Sequence, residues 1–344
     1  MILLAGWLVL FVSCRPGTDP EVPGPDDDLT EQIPKPALGY GSDGPFTVAK
    51  SEVASPLFPG RSIEIFYPEG MEGPRPTLFF CHALGGDQSS FYQGLLDFVA
   101  MKGYAIVFAP YPTSGVTIED RYRILWDSFQ RAVDRFPDII TTQKVGFVGH
   151  SFGAGASIGL AHRAFVEEGW GASGRIIFAM AQWYSYELTP TQLSNFPTNT
   201  KMIIQVYDED DVNDHRVAID VFKNINIETS EKDFVYVNSS VVADYEYVAD
   251  HGVPNTILAL DALDYYAIHR LLDALIDYSF NDVLTAKAVA LGGGDPAQVT
   301  MPCVRQECMA ELVVTDDPSP NYQQSRYMFS CSDFRNPRSE FCES

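Results

Sequence analysis

Residues 144–157 have the sequence KVGFVGHSFGAGAS, and this stretch decides the fold. Its first half is apolar, as in a buried strand, and small residues fill its second half, where a helix is predicted to begin. The pattern Gly149-x-Ser151-x-Gly153 lies on the strand-to-helix turn between them. Such a turn holds a serine in a strained backbone conformation and exposes its hydroxyl to a base. We therefore predict that Ser151 is a nucleophile and that only small residues fit at positions 149 and 153.

Strands alternate with helices on both sides of this turn. Strands are predicted at 62–68, 77–82, 105–110, 175–181, 202–207, 233–237 and 245–248, and helices at 91–101, 122–136, 214–225 and 258–280. This alternation indicates an α/β fold with a doubly wound, mostly parallel sheet and helices on both of its faces. Residues 182–201 are too few for a large helical cap domain, so we expect an open cleft.

The two ends of the chain differ in composition from its centre. Residues 1–13 form an apolar run of signal-peptide length, and residues 14–38 are rich in Pro and Asp, as in a tether. The α/β domain is expected at 39–285 and a cysteine-containing C-terminal extension at 286–344. Because Ser13-Cys14, directly after the apolar run, resembles the lipobox of bacterial lipoproteins, we expect export and lipidation of Cys14. The protein would then be a bacterial outer-membrane or periplasmic lipoprotein, or extracellular.

The chain is strongly acidic, with a net charge of −23 over 344 residues. Nucleic-acid binding depends on cations that neutralise phosphates, so this composition argues against a nucleic-acid partner. It also argues against purely electrostatic docking on anionic lipid. A membrane tether through lipidated Cys14 remains the expected route to a membrane.

A serine nucleophile needs a histidine base and a carboxylate that orients this base. The chain order of nucleophile, acid and histidine favours His251, in the loop after the last predicted strand. The acid is expected in the run of acids after residue 207, where two candidates remain. The apolar Val212 two residues on selects Asp210, which is the first candidate, whereas a turn position at Asp208 selects Asp211, which is the alternative. The run lacks EF-hand spacing, so we predict no metal site.

The oxyanion of an acyl-transfer reaction needs two preorganised N–H donors. One donor is expected to be the backbone amide of Phe152, directly after the nucleophile. The second is expected from the loop His82-Ala83-Leu84-Gly85-Gly86, which follows a predicted strand. Leu84 is the first candidate in this loop and Ala83 is the second.

These motifs resemble those of α/β-hydrolases, in the branch of dienelactone hydrolases, platelet-activating-factor acetylhydrolases, cutinases and polyester hydrolases. The likeness covers about residues 39–281. Residues 44–48, GPFTV, resemble an N-terminal motif of bacterial cutinases, and Ala181-Gln182-Trp183 resembles the position of their substrate-stacking tryptophan. His150 stands where polyester hydrolases often have Trp or His. The resemblance implies that Trp183 and His150 contact the substrate.

The expected reaction is hydrolysis of a carboxylic ester through an acyl-enzyme intermediate on Ser151. We expect a secreted monomer that needs no cofactor and acts on an ester, with lipids and polyesters among the candidate substrates. A peptidase or amidase on the same fold is one alternative. A non-catalytic surface lipoprotein that retains the hydrolase fold is the other.

Four cysteines lie beyond residue 302, at Cys303, Cys308, Cys331 and Cys342. In an exported chain these residues favour disulfides, and the lack of C-x-x-C spacing disfavours zinc. Of the three connectivities, we expect pairing of sequence neighbours, 303 with 308 and 331 with 342. Two such crosslinks would pin the tail to the hydrolase body, remote from Ser151. Cys81 lies in an apolar strand and is expected to be a buried thiol.

Overall fold

The fold is described from a computed structural model that covers residues 32–336 and 338–339. The predicted signal peptide, Cys14, most of the predicted tether and Cys342 lie outside the described residues. Within the described part of the chain, every helix is too short or too polar to span a membrane.

The described residues contain one large sheet and two short hairpins. In chain order the strands are β1 (Val48–Ala54), β2 (Ser62–Pro68), β3 (Arg75–Cys81), β4 (Ala105–Phe108), β5 (Ile140–His150), β6 (Arg175–Met180), β7 (Thr200–Tyr207), β8 (Lys232–Val237), β9 (Ser240–Val242), β10 (Tyr245–Tyr247), β11 (Cys303–Val304), β12 (Glu307–Cys308) and β13 (Val313–Thr315). Strands β9 and β10 form one hairpin, and β11 and β12 form the other.

The large sheet has the order β1-β2-β4-β3-β5-β6-β7-β8-β13. Neighbouring strands from β4 to β8 run parallel, whereas β1, β2 and β13 pair antiparallel at the two edges. Parallel neighbours require crossover connections, and helices supply most of them. The predicted fold class is therefore confirmed as the mostly parallel, doubly wound sheet of an α/β-hydrolase fold.

The helices lie on both faces of the sheet. They are α1 (Gln93–Met101), α2 (Ile118–Arg135), α3 (Phe152–His162), α4 (Pro190–Leu193), α5 (His215–Asn224), α6 (Arg270–Phe280), α7 (Lys287–Ala290) and α8 (Pro296–Val299). A π-helical turn, Arg163–Glu167, extends α3, and another, Leu263–His269, leads into α6. Between β6 and β7 the chain forms only the four-residue α4, so no large cap covers this side of the site.

Alternate residues of the central strands face two separate cores. Phe79 of β3 belongs to the core that also holds Trp126 of α2 and Phe222 of α5. Its neighbour Phe80 belongs to the opposite core, with Leu275 of α6. Residues 145–150 at the end of β5 are all buried, as expected for a parallel strand that is covered on both faces.

Two predicted elements differ from the structure. Residues 245–248 do not join the large sheet, because β10 pairs only with β9 in a separate hairpin. The helix predicted from residue 258 begins at Leu263, where the carboxylate of Asp261 accepts the Leu263 amide at 2.9 Å. Leu258, the first residue of the predicted helix, lies exposed in the preceding loop.

The core extends beyond both predicted boundaries of the α/β domain. Ile33, within the predicted tether, is 3% exposed, and its amide donates to the Tyr247 hydroxyl at 2.8 Å. Beyond residue 285, the second core gains buried residues from the predicted extension: Ala286, Ala290, Leu291, Met301, Met309 and Leu312. Strand β13 then completes the sheet edge beside β8. These segments therefore pack as part of the α/β domain.

The cysteines divide into crosslinked and free residues. A disulfide joins Cys303 to Cys308 across the β11–β12 hairpin, which confirms this predicted pair. Cys331 is fully buried, but Cys342 lies outside the described residues, so the 331–342 pair stays a prediction. Cys81 is a buried free thiol as expected, and burial raises the pKa of this thiol, which keeps it protonated.

Candidate active site

Ser151 occupies the sharp turn between β5 and α3. Its backbone has φ 56° and ψ −121°, a positive φ that is costly for a residue with a side chain. The Ser151 amide donates to the Met180 carbonyl at 2.9 Å and fixes this geometry. A Cβ atom on Gly149 would overlap the Gly153 backbone, and one on Gly153 would overlap the Cys81 carbonyl. The prediction that only small residues fit at positions 149 and 153 is confirmed.

The structure brings the predicted nucleophile, base and acid into one hydrogen-bonded chain. The Oγ atom of Ser151 lies 2.9 Å from Nε2 of His251. The Nδ1 atom of the same ring lies 3.0 Å from Oδ2 of Asp210. With the proton on Nδ1, His251 donates to Asp210 and accepts from the Ser151 hydroxyl. This geometry suits removal of the serine proton by the imidazole.

Asp210 lies on the acid turn, residues 208–214 between β7 and α5. It is fully buried, and its Oδ1 atom accepts the amides of Val212 and Asn213 at 2.8 and 3.1 Å. Burial alone would raise the pKa of Asp210, but the hydrogen bond from His251 and its charge hold this pKa below its usual value. Asp211, the alternative acid, has an exposed side chain. Geometry therefore places Asp210, not Asp211, beside the base.

The other acids of the acid turn have partners within the protein. Asp208 accepts the Tyr322 hydroxyl at 2.5 Å, and Asp214 forms an ion pair with Arg216 at 3.0 Å. Among the described residues, no group of His, Cys, Asp and Glu is arranged to hold a metal ion. The acid turn is instead organised by protein hydrogen bonds.

Asn213 also contacts the candidate nucleophile, and no motif in the sequence identifies it. Its Nδ2 atom donates to Ser151 Oγ at 3.3 Å and to the Ala181 carbonyl at 2.9 Å. The residue is 2% exposed. Its position three residues after Asp210 is the only sequence signal, because the same turn that presents the acid also presents this amide. Asn213 therefore helps to orient the serine hydroxyl.

His150 holds the backbone of the candidate base, His251, through a hydrogen bond. Its Nε2–H donates to the His251 carbonyl at 2.8 Å, and its Nδ1 atom accepts the Tyr92 hydroxyl at 3.1 Å. Burial lowers the pKa of His150 to about 3, so the ring stays neutral and keeps these two roles. His150 lines the cleft as expected of a substrate-contacting residue, but both of its ring nitrogens are used within the protein.

The candidate oxyanion donors differ in their availability. Of the two loop candidates, Ala83 already donates its amide to the Tyr92 hydroxyl at 3.0 Å. This contact favours Leu84 as the second oxyanion donor. The amides of Phe152 and Leu84 donate to no residue that the structure describes. Phe152 begins α3, whose first amides are unpaired and carry the positive end of the helix dipole. The backbone amides of Phe152 and Leu84 are therefore available to donate hydrogen bonds to an oxyanion.

Ser151 opens into a cleft of about 730 Å³ with mainly apolar walls. Trp183 forms part of one wall and is 8% exposed. Its ring packs 3.8 Å from the Tyr184 ring and edge-on at 5.0 Å from the Phe329 ring, measured between centroids. Its amide donates to the Ser151 carbonyl at 2.9 Å, which ties this wall to the nucleophile turn. Trp183 thus combines packing with a place on the cleft surface.

The C-terminal tail forms another part of the wall, which the sequence did not predict. Residues 322–335, the wall segment, run beside the acid turn. The Phe329 amide donates to the Val212 carbonyl at 2.9 Å, and the Phe329 carbonyl accepts the Asp214 amide at 3.2 Å. Phe329 and Arg335 both line the cleft. The expectation that the tail lies remote from Ser151 is wrong, because the acid turn offers backbone groups that the wall segment satisfies.

Comparison with known proteins gives one short similarity. No family model matches the chain. Over 99 residues the chain is 29% identical to the esterase FrsA of Photorhabdus laumondii subsp. laumondii. This match covers 28% of the chain and 24% of that esterase. The matched stretch therefore spans about a quarter of that esterase, and the similarity agrees with the mostly parallel α/β sheet of this chain.

Proposed function

We propose that the protein is a serine hydrolase of carboxylic esters. The observation that carries the proposal is the hydrogen-bonded chain from Ser151 through His251 to Asp210, which opens into an apolar cleft. A hydroxyl is a weak nucleophile at neutral pH and needs an oriented base within hydrogen-bond reach. The strained turn at residue 151 presents the hydroxyl to that base.

Acylation begins when Ser151 Oγ attacks the ester carbonyl and its proton moves to Nε2 of His251. Asp210 stays ionised and stabilises the imidazolium that forms. The amides of Phe152 and Leu84 donate to the oxyanion of the tetrahedral intermediate. The intermediate collapses as the C–O bond to the alcohol breaks, and His251 donates its proton to the departing oxygen.

Deacylation repeats these steps with water. His251 removes a proton from water, the hydroxide attacks the acyl carbonyl, and the same two amides hold the oxyanion. Ser151 then leaves with the proton from His251, and the carboxylic acid is released. Neutral His150 holds the His251 backbone through both half-reactions, because its two hydrogen bonds do not depend on the charge of the base.

Export and lipidation are part of the same proposal. The apolar run at 1–13 is followed directly by Cys14. The disulfide between Cys303 and Cys308 suits an oxidising compartment. The mass of the mature N-terminus from a bacterial host tests this part: a diacylglycerol-modified Cys14 supports it, and an unprocessed Met1 contradicts it.

A fluorophosphonate probe and an aryl-ester series test the catalytic proposal on the full chain. The probe should label Ser151, and p-nitrophenyl esters of increasing acyl length should be hydrolysed. Ser151→Ala should lower kcat by about 10⁴ or more, because the members of a triad act as a unit. Its melting temperature should change little, since this serine serves chemistry and not packing.

Ser194→Ala is the matched control, because Ser194 is an exposed serine at the end of α4. It should keep full labelling and full activity. Activity of Ser151→Ala within tenfold of the wild type would contradict the proposal. Hydrolysis of peptide anilides but not of esters would assign an amidase instead, and absence of labelling would assign a non-catalytic protein.

A further inference from the structure

The cleft has a charge balance opposite to that of the whole chain. The chain contains 46 Asp and Glu residues but 23 Lys and Arg residues. Two arginines, Arg121 and Arg335, line the cleft, and among the described residues no Asp or Glu lines it. Asp210 does not line the cleft, and its carboxylate is hydrogen-bonded to His251. A substrate in this cleft therefore meets positive charge in a protein that is otherwise strongly negative.

The charge of Arg335 is compensated within the wall segment. Its Nε and Nη2 atoms donate to the two carboxylate oxygens of Asp333 at 2.7 and 2.5 Å. Its guanidinium also lies over the Phe329 ring, with 4.4 Å from Cζ to the ring centroid. A bidentate pair of this kind fixes the side chain and cancels most of its charge. Arg335 therefore lines the cleft wall but offers little charge to a substrate.

The charge of Arg121 is not compensated. Its Nε and Nη2 atoms donate to the carbonyls of Pro112 and Thr113 at 3.2 and 2.8 Å. These carbonyls are neutral, and Arg121 forms no ion pair with any carboxylate that the structure describes. The two hydrogen bonds hold the guanidinium in place and leave its Nη1 group for a ligand. A preorganised cation of this kind loses little entropy when it binds an anion.

Arg121 lies close to the reacting centre. Its Cζ atom is 5.5 Å from the ring centroid of Phe152, the residue directly after the nucleophile. The Tyr186 ring lies 6.2 Å from the same Phe152 ring, and the Tyr186 hydroxyl donates to the Arg335 carbonyl at 3.3 Å. Burial raises the pKa of Tyr186, while the charges of Arg335 and Arg121 both act against this shift. Arg121, Tyr186 and Arg335 all line the same cleft.

We propose that Arg121 binds a carboxylate carried by the ester substrate. The preferred substrates are then esters with a free carboxylate, such as half-esters of dicarboxylic acids or esters of hydroxy acids. One uncompensated cation in an apolar cleft matches a singly charged carboxylate better than a phosphate monoester, which carries about −1.5 to −2. This inference rests on the proposed function, since it concerns the substrate of Ser151.

Two pairs of esters test the proposal with the purified full chain. The first pair places the charge on the acyl side and compares monomethyl adipate with its neutral primary amide, methyl adipamate. The second pair places it on the alcohol side and compares 6-acetoxyhexanoate with 6-acetoxyhexanamide. The quantity measured is the ratio of kcat/KM for the charged ester to kcat/KM for its neutral partner. The ratio should reach about tenfold in at least one pair, as for a charge-assisted hydrogen bond.

Variants of α2 show whether Arg121 causes the preference. Arg121→Gln should reduce the ratio to about one, and Arg121→Lys should restore part of it because the charge returns. Arg123→Gln is the matched control, since Arg123 lies two residues away on the same helix, is exposed and pairs with Asp120. It should keep the wild-type ratio. Raising the salt concentration should lower the wild-type ratio, which tests the charge without any variant.

The outcomes separate this inference from the proposed function. Hydrolysis of the neutral esters with a ratio below about twofold in both pairs would overturn the role of Arg121 alone. A preference that survives Arg121→Gln, in a variant with an unchanged melting temperature, would also overturn it. If neither ester of either pair is hydrolysed and the fluorophosphonate leaves Ser151 unlabelled, both proposals fall.

Discussion

Asp210 and Asp211 are adjacent acids with different surroundings. Asp210 is fully buried and receives two amides and the base, whereas Asp211 is exposed and uses only its backbone carbonyl, which accepts the Met328 amide at 2.6 Å. A carboxylate can fix the tautomer of His251 only from the buried position. The difference arises from the turn, which rotates successive side chains to opposite sides.

Asp210→Asn should lower kcat by about 10⁴, because an amide in that position favours the wrong tautomer of His251. Asp211→Asn is the neighbouring control and should stay within about twofold of the wild type, as for most surface changes. Steady-state hydrolysis of a p-nitrophenyl ester measures both. The reverse ranking would assign the acid to Asp211.

At the residue scale, the site residues that belong to sequence motifs could be predicted from the sequence. The Gly-x-Ser-x-Gly pattern led to Ser151, and chain order led to His251, which the structure brings within 2.9 Å. Sequence reasoning left Asp210 and Asp211 open, because burial within a turn is not visible in a run of acids. It also missed Asn213 and Tyr92, whose contacts with the site join residues far apart in the chain.

At the scale of elements, the wall segment shows what a pattern of apolar residues does not reveal. Residues 322–335 contain few apolar runs, yet Phe329 packs against Trp183 and pairs its backbone with the acid turn. Farther along, Arg338 forms a buried ion pair with Asp220 at 2.6 Å. The tail is therefore fixed at several points of the hydrolase body.

Phe329→Ala should lower the free energy of unfolding by about 1–2 kcal/mol, less than for a fully buried Phe because the ring is half-buried. It should also raise KM for long-chain esters, since it removes part of the cleft wall. Chemical denaturation and an acyl-length series measure these two effects. Met328→Ala is the adjacent control, because the Met328 side chain is 69% exposed. Equal effects of the two substitutions would contradict this role of the wall segment.

The strands and helices that could be predicted from the sequence are those with strong apolar patterns. Strands β2 to β4 and β6 to β8 and helices α1 and α5 were predicted close to their observed bounds, whereas the helix predicted from residue 258 begins at Leu263. Strand β1 was missed because Lys50, Ser51 and Glu52 interrupt its apolar pattern at an edge of the sheet. Strand β13 was missed because it has three residues and exists only through pairing with β8, far away in the chain. Edge strands are defined by their partners rather than by their own sequence.

At the scale of the whole molecule, buried histidines link stability to pH. His82, His150, His215 and His269 are all buried, and burial lowers their pKa values to about 3, 3, 4 and 3. In the unfolded chain a histidine has a pKa of about 6.5. Between these values the unfolded state binds protons that the folded state does not, so these residues lower stability as pH falls below about 6.5.

Buried carboxyl groups whose pKa is raised act in the opposite direction. Burial raises the pKa values of Asp233, Asp261 and Asp264 above the usual value. The folded state then binds protons before the unfolded state does, so these groups favour folding as pH falls. Asp210, whose pKa is lowered, acts in the same direction as the histidines, so the total pH dependence combines many groups of both signs. A single histidine is therefore best isolated by comparing variants.

His269 is suited to this comparison because it lies away from the cleft. Its ring stacks on Phe98 at 4.2 Å between centroids, and neither ring nitrogen has a hydrogen-bond partner among the described residues. Between about pH 7.5 and 5.5, the wild type should lose about 1.4 kcal/mol more unfolding free energy than His269→Phe, because its unfolded state gains one proton there. Denaturant titrations at the two pH values measure the difference. Tyr265→Phe, on the same helical turn, removes no group that titrates in this range and should parallel the wild type. Identical losses in His269→Phe and the wild type would contradict this account, because they would show that His269 gains protons equally in the folded and unfolded states.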